Sequence, residues 1–190
     1  SILQGLMVPD NPAETFANIM ASKGAFRLAI ALFLIVAVLD ILVAWALYIF
    51  LKPVNQSISL LTAWFRIVYA AMLAFVLTYL INVLQLVSGV EYLTILDANE
   101  LQAHVMLSLE NFSLGWEFSL IIFGFHLLLL GYLMFKAGYM RKILGILLII
   151  ASLGYIVDGF GKLLSASYDL VISMYTFIGE IILIFWLLMV

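Results

Sequence analysis

The sequence predicts an all-α fold, a polytopic transmembrane helical bundle with five visible spans, six in the complete protein, plus short interfacial helices. Three observations carry this expectation. Of the 190 residues, 67% are hydrophobic and only 10% are charged, whereas about a quarter are charged in a soluble domain. Apolar stretches over about 25–51, 58–87, 114–136, 143–164 and 171–190 fill most of the chain, and a spanning helix needs roughly 20 apolar residues at about 1.5 Å each. The connections are too short for a soluble module, so residues 1–190 read as a single transmembrane domain.

The elements follow in chain order. SILQGLMVP (1–9) reads as the tail of an apolar segment, and FWLLMV (185–190) stops without a polar flank. Both predict a fragment lacking one N-terminal helix and a short C-terminal tail. Residues 11–22 read as an interfacial helix, with Asp10 and Asn11 as cap candidates, Pro12 in the first turn and Glu14 complementing the helix dipole. Ser22-Lys23-Gly24 separates it from the first span, which stops before Pro53. KPVNQS (52–57) is short enough to force an antiparallel hairpin with the second span, which ends at Ser88-Gly89. Leu101, Val105, Leu109 and Phe112 recur at helical spacing among Glu100, His104 and Glu110, predicting an interfacial amphipathic helix over 98–112. A basic turn, KAGYMRK (136–142), joins the third and fourth spans, and LLSASYD (163–169) leads to the fifth.

Orientation follows the Lys/Arg bias in the flanks. Lys52, Lys136, Arg141 and Lys142 put 52–57 and 136–142 in the cytoplasm. Residues 1–24 and 88–113 are then extracytoplasmic, carrying Lys23 among Asp10, Glu14, Glu91, Asp97, Glu100 and Glu110, while Arg27, Lys162 and Asp169 flank the same side.

Ionisable residues inside the apolar stretches are the mechanistic signal, because a charge in a bilayer is costly and rarely idle. Asp40, Arg66, His126 and Glu180 each interrupt a different stretch. Counted from the cytoplasmic ends they lie at about 17, 13, 15 and 15 Å, so four ionisable groups fall near one level. Small or polar neighbours, Ala37 and Ala44, Thr62 and Ala70, Ser173 and Thr176, mark faces turned toward other helices. The expected pairs are Asp40 with Arg66, across the short hairpin, and His126 with Glu180. Asp158 is shallower, with Lys162 four residues on in the favourable order. Gly145, Ser152 and Gly159 at spacings of seven, with Gly154 and Gly161, predict close helix packing, as do Gly124 and Gly131.

Several chemistries find no support. The chain has no cysteine, so thiolate metal sites and cysteine nucleophiles are excluded. His104 and His126 are about 22 residues, roughly 33 Å, apart on a continuous helix, too far for a bis-His haem. His126, Glu180 and Asp40 lack the spaced ligand motif of a metal site, and no catalytic motif occurs. Neither catalytic residues, metal ligands nor a cofactor are assigned. A net charge of −3 argues against nucleic acid as a partner. Trp45, Trp64, Trp116 and Trp186 read as interfacial anchors or bundle packing.

The run FGFHLLLLGYLMFKAGYMRKILGILLIIASLGYIVDGFG (123–161), with blocks at 10–28, 46–71 and 178–188 in matching order, resembles the bacterial membrane family of the domain of unknown function 4386. Its embedded polar residues are Asp10, Arg66, His126, Tyr155, Asp158 and Glu180. The resemblance covers essentially the whole chain. It implies a helix preceding the first block, a bacterial source and no particular activity. Arg141 departs from it where proline is common.

The expected function is that of an integral membrane protein, an accessory or structural subunit or small binding module of a membrane assembly, with a buried polar core. Its partners are the lipid bilayer and other membrane subunits, in a bacterial inner membrane, and the expectation leans away from an enzyme. The alternative is a proton-coupled small transporter or intramembrane enzyme using Glu180 and His126.

Overall fold

The computed structural model describes residues 2–9, 11–165, 168 and 170–189. Asp10 and Asp169, and the chain ends at Ser1 and Val190, lie outside the described residues. The described elements are all helical: α1 (Ile2–Leu6), α2 (Pro12–Ala21), α3 (Lys23–Leu51), α4 (Gln56–Leu86), a 3₁₀ turn (Glu91–Ile95), α5 (Ala98–Lys136), α6 (Lys142–Leu164), α7 (Ser173–Thr176) and α8 (Ile178–Met189).

Among the described residues four helices, not five, are long and apolar enough to cross a membrane: α3, α4, α5 and α6. The expected fifth span at 171–190 is broken. Residues 170–172 are not helical, α7 is a single turn and α8 has 12 residues. Even taken as one apolar helix, Ser173–Trp186 rises about 21 Å, short of a hydrocarbon core of about 30 Å. The start of the helical part is fixed from outside the segment, because the Asp158 carboxylate of α6 caps the backbone N–H groups of Ile172 and Ser173.

The second departure is α5. Residues 98–112, expected as a separate interfacial helix, are the first part of one 39-residue helix. Composition changes near residue 113, but the backbone has no reason to stop there. The segment contains no proline, and Gly115, Gly124 and Gly131 keep helical conformation. Its start is sharply set. Asp97 Oδ1 accepts from the Glu100 N–H at 2.8 Å, and Glu100 Oε2 accepts from the Asp97 N–H at 2.8 Å. This is a reciprocal capping box. Asn11 caps α2 by accepting from the Glu14 N–H at 3.1 Å, and its side-chain amide donates to the Glu14 carboxylate at 2.9 Å. Gly89, with φ of 74°, supplies the left-handed residue after α4.

The chain divides into two compact units, 1–38 with 72–116, and 39–71 with 117–190. In the first, Thr15 is fully buried and satisfied by the backbone of Val8 at 2.9 and 3.2 Å. Phe33 packs on Phe112 and Trp116 with ring centroids 5.8 and 5.3 Å apart, so Trp116 serves packing. In the second, Asn55 caps α4 through the Ile58 N–H at 2.9 Å, and Ser59 donates to the Tyr48 carbonyl at 3.1 Å across the α3–α4 hairpin. Gly131 and Gly145 let α5 and α6 touch backbone to backbone. A Cβ on Gly145 would lie 2.6 Å from both the Gly131 oxygen and the Phe135 nitrogen. Tyr139, in the following turn, donates to the Phe50 carbonyl at 2.8 Å.

Large apolar side chains remain outward. On α3, Leu32, Ile35, Leu39, Leu42 and Trp45 are 47% to 67% exposed. Water would penalise such a surface, whereas lipid accepts it, and every span keeps its backbone bonds internal. The protein is thus an all-α, polytopic membrane protein.

Candidate functional site

The polar residues of the second unit assemble on five helices. α3 supplies Asp40, flanked on its face by buried Ala37 and Ala44. These methyl-sized neighbours leave room for a long side chain to reach it. Arg66 of α4 does so, with Nε and Nη2 both donating to Asp40 Oδ1 at 3.0 and 2.5 Å. The pair expected across the hairpin is therefore formed.

Arg66 also reaches α5. Its Nη1 lies 3.1 Å from His126 Nε2, and His126 Nδ1 lies 2.9 Å from the Thr62 carbonyl. Arginine only donates and a carbonyl only accepts. Nε2 must therefore be the bare nitrogen and Nδ1 the protonated one, which makes His126 a neutral imidazole with both nitrogens engaged. Thr62 is one turn before Arg66, and its hydroxyl turns back to the Ile58 carbonyl at 2.8 Å. One turn of α4 thus supplies both partners of His126.

Phe123 is the apolar hub of this site, and sequence reasoning missed it. Its ring centroid lies 4.8 Å from that of Tyr69, 5.7 Å from His126 and 5.7 Å from Tyr155. The Arg66 guanidinium carbon stands 5.6 Å from the same ring, within cation–π range. A phenylalanine among apolar residues carries no signal, although its spacing of three from His126 puts it on the same helix face.

The expected His126–Glu180 pair does not form. His126 is occupied by Arg66 and Thr62, while Glu180 lies beside the Tyr155 side chain of α6. Arg66 is still near enough for its charge to act on Glu180. Glu180 Oε1 is buried and has no hydrogen-bond partner among the described residues.

A second cluster centres on Asp158, also buried. Tyr168 donates to Oδ1 at 2.8 Å, Ile172 N–H to Oδ1 at 3.0 Å and Ser173 N–H to Oδ2 at 2.6 Å. Partial burial and the bond to Asp158 push the Tyr168 phenol above its ordinary range. The expected Asp158–Lys162 contact is absent. Lys162 instead pairs with Glu117 of α5 at 2.5 Å, because Asp158 turns toward the amides of residues 172 and 173. Gly154 and Gly161 share the Asp158 face. A Cβ on either would strike Thr176 or the Tyr168 ring, so this glycine face receives α7. Gly145 and Gly159 form a separate seam toward Gly131 and Ile121 of α5.

Among the described residues no group of three His, Cys, Asp or Glu side chains could hold a metal. The whole chain, residues 1–190, matches the family model described as Domain of unknown function (DUF4386). A protein of Archaeoglobus fulgidus, described as uncharacterized, is 42% identical over 158 residues, covering 83% of this chain and 80% of that protein. That relative is archaeal, so the bacterial scope implied by the resemblance does not follow from it. No solved structure matches. With a model covering its full length and a relative similar over most of it, this chain belongs to the DUF4386 family.

Proposed function

We propose that this protein is a non-enzymatic membrane module, an accessory or structural subunit of a membrane assembly whose polar core fixes the register of its helices. The observation that carries the reading is the engagement of His126. With Nε2 on Arg66 and Nδ1 on the Thr62 carbonyl, the imidazole has no nitrogen left for a proton relay. Arg66 is likewise committed, through three nitrogens, to two partners. Such a network resists rearrangement, as a register pin should. A transporter or enzyme built on a Glu180–His126 pair is the weaker reading, because neither side chain bonds the other. The inner-membrane setting and the orientation, with 52–57 and 136–142 cytoplasmic, rest on the family resemblance and on Lys52, Lys136, Arg141 and Lys142.

The pin reading is tested by unfolding in mild detergent. Asp40→Asn leaves a partly buried guanidinium without its counter-charge and should cost up to about 3–5 kcal/mol, whereas Asp40→Leu with Arg66→Met should recover much of that loss. Affinity purification of both forms from native membranes should then return the same partner proteins. A double variant that folds but loses its partners, or a cellular activity, would sink the structural reading.

A further inference from the structure

We propose that the Glu180 carboxyl is an exchange site for a single positive charge, a proton or a small alkali cation, held where α8 meets α6. The site goes beyond the scaffold reading and stands independently of it.

The geometry begins with close packing. A Cβ on Gly179 would lie 2.8 Å from the Leu147 carbonyl oxygen, and one on Gly154 would strike the Thr176 hydroxyl. These bare backbones bring α7 and α8 against α6 and set Glu180 beside Tyr155. Glu180 Oε1 is buried without a hydrogen-bond partner among the described residues. A carboxylate oxygen buried without a partner is costly in a low-dielectric setting.

Charge bookkeeping gives the site its sign. The charged and titratable groups facing Glu180 are Tyr155 from α6 and Arg66 and Tyr69 from α4. Arg66 is bound to Asp40 of α3, so those two cancel, and His126 of α5 is neutral by its hydrogen-bond pattern. Glu180 therefore remains as one uncompensated negative charge. Lys162 is engaged with Glu117. Lys52, Arg141, Lys136 and Lys142 sit at or beside the helix-connecting turns, the last two over Tyr132 and Phe135. The α8 N-terminus offers partial positive charge, which eases but does not cancel a full unit. A deficit of one, with no cluster of three metal ligands among the described residues, selects a monovalent occupant over a divalent metal.

The test is infrared difference spectroscopy on the full chain in lipid nanodiscs. Spectra are recorded across the neutral pH range in choline chloride, then with sodium or potassium chloride replacing choline at fixed pH. The expected result is a protonated-carboxyl band that disappears as pH rises and is missing from Glu180→Gln. If alkali chloride also removes it at fixed pH, the occupant exchanges between proton and metal cation. If only pH does, the occupant is a proton. Tyr155→Phe retains the carboxyl and should shift the midpoint of the response, which keeps the assignment testable if Glu180→Gln does not fold. A Glu180 carboxyl that titrates only in the acid range of a solvated carboxylate, and ignores alkali cations, overturns the proposal.

Discussion

Arg66 binds two partners from different edges of one planar group. Nε and Nη2 point to Asp40, and Nη1 points to His126. A lysine presents one nitrogen and cannot span both. Arg66→Lys should therefore keep the ion pair and strand His126 Nε2, at a cost of about 1–3 kcal/mol. Chemical unfolding in detergent would measure it, and no loss at all would mean that the histidine bond contributes nothing separate. The residues of this network were legible because charge and imidazole stand out against apolar neighbours. Their pairing was only half legible. The short hairpin constrains Asp40 and Arg66 to meet, whereas the partner of His126 depends on how α5, α6 and α8 rotate about their axes. Depth along a helix is readable from residue counts, but azimuth is not, and so Glu180 was matched to the wrong neighbour.

At the scale of elements, α6 offers two glycine faces. The Gly145–Gly131 contact joins backbone to backbone, with a Cβ at Gly145 meeting an oxygen and a nitrogen at 2.6 Å. Neither atom belongs to a flexible side chain, so Gly145→Ala must push α5 and α6 apart. A loss of about 1–3 kcal/mol is expected, read as a lower melting temperature. Gly138, with open space around its Cβ position, is the matched control and should tolerate alanine far better. Asp158→Ala removes the acceptor for two backbone amides and one phenol. Faster hydrogen exchange at Ile172 and Ser173, without change at Gly131, is the expected signature. The apolar lengths of α3, α4 and α6 were plain in the sequence. The start of α7 was not, because the cap that fixes it is a carboxylate 14 and 15 residues earlier in the chain. The continuity of α5 was missed for the opposite reason, since a change of polarity marks a change of solvent and not a change of backbone.

For the whole molecule, the absence of cysteine makes topology directly measurable. Single cysteines replacing Glu100 and Arg141 fall before and after the apolar part of α5. A membrane-impermeant thiol reagent added to intact cells should label the Glu100→Cys protein and label Arg141→Cys only after the membrane is opened. Labelling of both from one side would refute the orientation drawn from the Lys/Arg bias. A helix of 39 residues is about 58 Å long, nearly twice the hydrocarbon thickness, so one end of α5 must lie outside it.

The Asp158 carboxylate also bears on the order in which the chain is assembled. α7 is the opening turn of the Ser173–Trp186 helix, and a first turn is costly because it fixes more dihedrals than it gains hydrogen bonds. The two amides at its start are ordered by a side chain that belongs to α6. During synthesis α6 leaves the ribosome first and carries that acceptor with it. The following segment then has a template waiting for it, and α7 takes shape by docking onto a helix already in place.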